Sequence, residues 1–404
     1  MKGWETKTLA DVCEVFADGD WVESKDQSQE GIRLIQTGNV GQGVFKDRGD
    51  KARYISEATF NRLRCTEIFE GDCLISRLPD PVGRSCILPD TDERMITAVD
   101  CTIVRFNPRL VLAPFFNFYS QSLDYLKAVD SATTGTTRNR ISRSNLGLIP
   151  IPVPPLPEQR RIVAILDEAF EGIATAKANA EKNLQSARAL FESHLQSVFS
   201  QHGEGWVEKA LGELATFRNG INFTKSSRGE TVKIVGVKDF QQSFWAPLDG
   251  LATVTPEGVL PESDLLKEND LLFVRSNGNM QLIGRCLLIG KVTDKITHSG
   301  FTIRARLNGG GVSARYLCHF LKSSLARRKM IDSGIGTNIK SLNQTTLSAL
   351  AIPVPSIAEQ ETIVDQLESV DAETQRLASI YARKLGVLEA LKKSLLDQAF
   401  SGKL

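Results

Sequence analysis

One stretch of this chain occurs twice. Ile151-Pro-Val-Pro-Pro-Leu-Pro-Glu-Gln159 recurs as Ile352-Pro-Val-Pro-Ser-Ile-Ala-Glu-Gln360, 201 positions later in a chain of 404. A period of half the chain is too long for a solenoid and describes a duplicated module. In each copy the prolines hold the backbone extended, because each fixes its own φ and biases the preceding residue away from α. The Glu-Gln pair then falls in a first helical turn, where a carboxylate suits the positive end of the helix dipole. Beyond it the apolar pattern runs for many turns. Pro157 to Ser200 is 44 residues, roughly 66 Å of helix at 1.5 Å per residue.

A heptad count supports a two-helix coiled coil. The seam of the first copy reads Val163, Leu166, Phe170, Ile173, Lys177, Ala180, Leu184, Ala187, Phe191, His194, Val198. The same frame in the second reads Val364, Leu367, Asp371, Thr374, Ala378, Tyr381, Leu385, Leu388, Lys392, Leu395, Ala399, with Ile363, Val370, Leu377 and Leu391 widening the stripe. Mostly apolar a and d positions over this length favour pairing of the helices, in an antiparallel sense, over two helices lying separately on globular domains.

Each long segment follows a stretch of about 150 residues with the same order of signals. Gly3-Trp4 and Leu9-Ala-Asp-Val12 match Gly205-Trp206 and Leu211-Gly-Glu-Leu214. Leu9–Val12 reads as a short amphipathic helix. Ile32–Ile35 and Val232–Val235 alternate as strands, and Asp72–Arg77 and Asp270–Arg275 read as buried strands entering turns. Pro114–Val129 and Val312–Met330 have helical spacing; Gly309-Gly-Gly311 reads as a hairpin turn. Small-residue loops follow, around Gly135-Thr136 and Gly336-Thr337. The expected architecture is mixed α/β (α+β), duplicated with an internal pseudo-two-fold repeat: a globule over 1–155, a long helix over 156–202, a second globule over 203–356 and a second long helix over 357–404.

No 18-residue apolar run and no signal peptide are present. Seven cysteines, unevenly divided between the halves and without metal-ligand spacing, read as free thiols in a reducing cytoplasm. Net charge is +1, but residues 201–356 carry 19 basic against 13 acidic side chains, while 1–155 carry 19 against 21. No phosphate-binding loop, no Gly-x-Gly-x-x-Gly after a strand, no histidine set with metal spacing, and no amino-methyltransferase or nuclease motif is found. The expectation is a pair of binding modules with no catalytic, cofactor-binding or metal-binding residues.

The chain resembles the specificity subunit of type I restriction–modification systems. The residues that carry the resemblance are Ile151-Pro-Val-Pro-Pro-Leu-Pro-Glu-Gln-Arg-Arg-Ile-Val163, Ile352-Pro-Val-Pro-Ser-Ile-Ala-Glu-Gln-Glu-Thr-Ile-Val364, the two domain openings, the two small-residue loops, and the ending Leu395-Leu-Asp-Gln-Ala-Phe-Ser-Gly-Lys-Leu404. The resemblance implies two target recognition domains, each reading one half of a bipartite double-stranded DNA site. It implies helices that set the spacer and dock two methyltransferase subunits binding S-adenosylmethionine. It implies also that restriction subunits using ATP with Mg can join, and that the whole serves DNA methylation and phage defence. The polar seam at Asp371 and Thr374, with Gly386 beyond it, departs from simple coiled-coil packing or marks a subunit contact.

Arg and Lys read guanine, and Asn and Gln read adenine, in the major groove. Loop residues of those types are the candidate DNA contacts. In the first globule they are Gln36, Thr37, Asn39, Arg77, Arg138, Asn139, Arg140 and Arg143. In the second they are Lys238, Gln241, Gln242, Arg275, Asn277, Asn279, Gln281, Asn338, Lys340 and Asn343. Thr136 and Thr337 are candidate phosphate donors. Asn residues in such loops also form turns, and Arg77 and Arg275 also suit hairpin ion pairs. A protein scaffold without nucleic acid is the competing class, and the near-neutral charge keeps it open; steep salt dependence of DNA binding separates the two.

Overall fold

The computed structural model describes residues 4–404 except 136–138, 202, 204, 225, 242, 310 and 333–340. The long helices run Leu156–Ser200 and Ile357–Ser401. The chain divides into two compact units, residues 1–180 with 383–404, and residues 181–382. Each unit holds one globule, the opening part of the helix that follows it, and the closing part of the other long helix.

In the first unit the four-stranded antiparallel sheet has the order Cys13–Asp18, Cys101–Phe106, Cys73–Ser76, Ser85–Ile87. A second sheet places Ile32–Ile35 parallel to Met95–Thr97. In the second unit, Ala215–Asn219, Thr302–Leu307, Leu271–Val274 and Cys286–Leu288 repeat the first sheet. Val232–Val235 lies parallel to Ile296–His298. The central strands Cys73–Ser76 and Leu271–Val274 are continuous runs of buried residues, as expected for strands covered on both faces. The mixed α/β class and the duplication are as the sequence implies.

The proline motif proves to be a strand. Pro150–Val153 pairs antiparallel with Glu5–Thr8, and Ala351–Val354 with Val207–Ala210. The chain therefore enters and leaves each globule side by side, and the long helix starts at that closure.

The Gln of each motif locks the start. Gln159 is fully buried; its Oε1 accepts from Leu112 N–H at 2.9 Å, and its Nε2 donates to Leu110 O at 2.7 Å and Pro154 O at 2.8 Å. Gln360 repeats the set with Ser313 N–H at 2.7 Å, Gly311 O at 3.0 Å and Pro355 O at 2.9 Å. Each amide ties the helix to the loop that opens the globule's own helix, Ala113–Tyr119 or Ala314–Lys322. Repetition of three hydrogen bonds in both units makes this the structural reason for the Gln of the Glu-Gln element.

Within the first unit the long helices run antiparallel. Arg161 Nη2 donates to Leu404 O at 2.8 Å, the Lys392 ammonium sits 4.7 Å from the Phe170 ring centre, and Lys177 pairs with Glu389. The heptad holds through Leu166, Ile173, Ala180 and Ala187 but slips near the end of the first helix, where Leu195 and Phe199 are buried in place of His194 and Val198. A helix of 3.6 residues per turn drifts against a 3.5-residue repeat, and here the end packs on a globule. Phe199 meets Tyr316 and Phe320 edge-on, with ring centres 5.6 and 5.3 Å apart. Leu391 does not widen the stripe; it is exposed.

The polar seam has a local explanation. Leu112 and Ser313 occupy equivalent places on Gln159 and Gln360, so Phe118 corresponds to His319, and Phe170 to Asp371. In the first unit Phe118 and Phe170 stack edge-on at 5.3 Å. In the second, His319, Asp371 and Thr374 border a cavity of about 560 Å³ together with Phe191, Phe244 and Arg327. A polar pair there cannot fill the space that two phenylalanines fill.

Four local expectations change, the first being that Val312–Met330 divides into two helices, Ala314–Lys322 and Ser324–Asp332. Leu9–Val12 forms a single 3-10 turn, Ala10–Val12, squeezed between two strands. Pro114–Val129 is two helices, Ala113–Tyr119 and Leu123–Ser131, because Ser122 caps the second by accepting from Tyr125 N–H. Gly309 and Gly311 do not turn a hairpin; they carry the chain from Thr302–Leu307 into the helix Ala314–Lys322, and Gly311 presents its carbonyl to Gln360.

Candidate nucleic-acid interface

In the first unit, Arg77 stands where the strand Cys73–Ser76 ends. Its N–H donates to Asp100 O at 2.9 Å, and its carbonyl accepts from Ile141 N–H at 3.3 Å. It thus joins the sheet to the small-residue loop, which is pinched shut by the Thr134–Arg140 backbone pair at 2.9 and 3.0 Å. Arg77 is 5% exposed; its Nη2 lies 3.1 Å from Asp18 Oδ1 and also donates to Val99 O. Burial pulls its guanidinium below the usual arginine range, against the pull of Asp18 and Asp100. Arg140 Nη2 lies 2.9 Å from Asp100 Oδ1, and Arg143 Nε lies 3.6 Å from Asp18 Oδ2. Arg143 opens a short helix capped by Ser142, and Asn139 is exposed. Three predicted arginines are therefore brought together, interleaved with two aspartates. Thr136 and Arg138 lie outside the described residues.

Gln36, Thr37 and Asn39 form a separate turn. Asn39 is buried, accepts from Gln36 N–H at 3.0 Å and donates from Nδ2 to Lys46 O at 3.0 Å, so its amide is spent on the turn. The Thr37 carbonyl accepts from the buried Arg84. Gln36 and Thr37 are half-buried.

The second unit builds the same site with different charges. Arg275 N–H donates to Phe301 O at 2.8 Å, and its carbonyl accepts from Leu342 N–H at 2.9 Å, as at Arg77. Gly19 and Gly220 fix the correspondence: their N–H groups donate to Cys101 O and Thr302 O. A Cβ at either would fall within 2.4 Å of a backbone oxygen, so only glycine lets the strands approach so closely. Asp18 therefore corresponds to Asn219, Asp100 to Phe301, Arg140 to Ser341 and Arg143 to Gln344. Arg275 is half-buried, and among the described residues its side chain has no ion pair or hydrogen bond.

The following loop is exposed and polar. Asn277 Oδ1 accepts from Asn279 N–H at 2.8 Å, and Asn279 Oδ1 from Gln281 N–H at 3.0 Å, which shapes a 3-10 turn over Met280–Leu282. Lys238 and Gln241 are exposed on another turn, joined by Gln241 Nε2 to Lys238 O at 2.8 Å. Asn343 caps the helix Gln344–Ser348 through Thr346 N–H at 2.8 Å. Gln242, Thr337, Asn338 and Lys340 lie outside the described residues.

Sequence reasoning passed over Asp18 and Asp100, the arginine partners, and the exposed aromatics Trp21 and Phe301, 68% and 60% exposed. The one sequence signal for Phe301 is a large apolar residue directly after Gly300 at a strand entry.

The family model described as the type I restriction modification DNA specificity domain matches residues 1–184 and again 203–382. The chain belongs to this family. Similar relatives include the StySPI specificity subunit of Salmonella potsdam, 24% identical over 74% of this chain and 67% of the relative. The EcoKI specificity subunit of Escherichia coli K12 is 26% identical over 75% and 68%, and a putative MjaX specificity subunit of Methanocaldococcus jannaschii is 23% identical over 99% and 93%. Among solved structures, a chain from a study of type I R-M complex assembly and conformational transition aligns over 100% of this chain and 99% of its own, with TM-score 0.79 and 17% identity. The HsdS subunit of Thermoanaerobacter tengcongensis aligns over 100% and 98%, with TM-score 0.62 and 17% identity. Those two likenesses establish the specificity-subunit fold. No described helix is long and apolar enough to cross a membrane.

Proposed function

We propose that this specificity-family chain is the DNA-recognition subunit of a type I restriction–modification complex and performs no chemical step itself. Each globule binds one half of a bipartite duplex site in the major groove. The long helices set the gap and dock two methyltransferase subunits, which bind S-adenosylmethionine; restriction subunits, where they join, bind ATP with Mg.

The observation that supports this reading best is the same loop site built twice on a repeated framework with different side chains. A framework held constant by Gly19 and Gly220, Gln159 and Gln360, and carrying Asp18, Arg140 and Arg143 in one copy but Asn219, Ser341 and Gln344 in the other, suits two readers of two different half-sites. Two heads held by a fixed element predict a fixed spacing between half-sites.

Methylation-sensitive sequencing of the host genome, with and without this gene, tests the reading. The expected result is a modified-adenine motif of two short halves around a constant gap, lost on deletion. Binding of the purified chain with its methyltransferase to duplex DNA should weaken steeply with salt, because phosphate contacts release counterions. A complex indifferent to duplex sequence and to salt would instead support a protein scaffold.

A further inference from the structure

We propose that Arg275 reads a guanine in the half-site bound by the second globule, and that Arg77, at the equivalent place in the first, makes no DNA contact. The inference rests on the function proposed above and divides two residues that sequence alone treats alike.

An arginine reads guanine by giving two parallel N–H groups to O6 and N7. It can do so only if those groups are not already committed inside the protein. Arg77 is committed: it is 5% exposed, paired with Asp18 at 3.1 Å, and bonded to the Val99 carbonyl. Withdrawing it would leave the half-buried Val99 carbonyl without its donor and the Asp18 carboxylate with only Arg143 beside it, a cost that one base contact does not recover.

At the second site every charged neighbour has been exchanged. Asn219 stands for Asp18 and Phe301 for Asp100, while Ser341 and Gln344 stand for Arg140 and Arg143. The guanidinium of Arg275 is half-buried with no carboxylate or carbonyl partner among the described residues. A partly desolvated cation of this kind gains most from a planar, bidentate acceptor. Its backbone is fixed at both sides, by Phe301 O at 2.8 Å and Leu342 N at 2.9 Å, so the side chain springs from a rigid strand end. Phe301, 60% exposed, supplies an apolar surface beside it. The excess of basic residues in 201–356 holds DNA without regard to sequence, leaving this arginine to discriminate.

The test uses the chain with its methyltransferase and the duplex identified by methylome sequencing. Binding is measured with every base pair of the second half-site substituted in turn, for the wild type and for Arg275→Gln, Arg275→Lys and Arg77→Gln. The expected result is a roughly 10- to 100-fold loss with Arg275→Gln, on the native site only, with discrimination abolished at one G·C pair. Arg275→Lys keeps the charge but gives one ammonium in place of the planar pair, so it narrows the preference at that G·C pair without removing it, which covers the case in which the glutamine variant folds poorly. Arg77→Gln lowers the melting temperature but leaves the discrimination profile unchanged. Equal weakening on all sequences, with a salt slope reduced by about one, would make Arg275 a phosphate contact and overturn the proposal. An Arg275→Gln variant with an unaltered profile would overturn it as well. A wild-type complex with no sequence preference would instead defeat the DNA-recognition reading itself.

Discussion

Replacing Gln159 or Gln360 by alanine is expected to destabilise its own unit by about 3–5 kcal/mol, more than most single substitutions. Either amide is fully buried and makes three hydrogen bonds between 2.7 and 3.0 Å, to one N–H and two carbonyls. Alanine removes one partner from each and leaves buried backbone groups facing an apolar cavity, the most costly way to lose a hydrogen bond. Glutamate is the sharper variant: it keeps the shape but cannot donate to Leu110 O and Pro154 O, and at neutral pH it buries a charge. Chemical denaturation should show one transition moving and the other staying, according to which Gln is changed. If Gln159→Ala shifts the midpoint by no more than a surface substitution does, the amide is not what fastens the helix to the globule.

Acid is expected to unfold residues 181–382 before the rest. His298 and His319 are 1% and 2% exposed, and both are pulled down to about 3. Burial is the main cause at each, reinforced by Arg304, Arg218 and Arg306 around His298 and by Lys322 and Arg315 around His319. Glu368 lies 3.9 Å from His319 Nε2, a distance that would favour the charged ring, but its carboxylate is already held by Nε and Nη2 of Arg315. Both rings are therefore neutral in the fold. The unfolded chain takes up protons near pH 6.5, and the folded chain only near 3. Stability is thus lost as pH falls between those values, by about 1.4 kcal/mol per pH unit for each histidine.

The first unit has no histidine. Its Asp20 is raised to about 6 by burial, which outweighs the hydrogen bond from Thr66 N–H. That shift has the opposite sign: its cost to the fold is relieved as pH falls from about 6 toward 4. Hydrogen exchange of the whole chain between pH 7 and 4.5 should therefore show protection lost first in 181–382. His319→Phe, which restores the residue found at Phe118, should reduce that acid sensitivity. Equal loss of protection in both units would mean that carboxylates, not these two rings, govern acid unfolding.

The duplication, the long helices and the strands at Ile32–Ile35 and Val232–Val235 were legible because each is written in local periodicity and in a repeat that needs no geometry to see. Even the heptad was readable until the helix ends, where packing on a globule replaced helix pairing and moved burial from His194 and Val198 to Leu195 and Phe199. The candidate site was legible only as a set of residue types. Asn39 and Asn343 were chosen for an amide that can read adenine, yet the fold spends one on a turn and the other on a helix cap. Proximity in sequence says nothing about whether a donor is already taken.

The sequence by itself determined that there would be two similar globules and two long helices, because proline geometry, apolar periodicity and turn residues act over a few neighbouring positions. Only the tertiary structure decided which Gln groups became clamps, since the N–H that each receives comes from 47 positions away. It alone separated Arg77 from Arg275. The difference lies in Asp18 and Asn219, residues on another strand, brought alongside by the pairing of the sheet. An ion pair is a matter of distance in space, and the chain order does not contain that distance until the strands have found their partners.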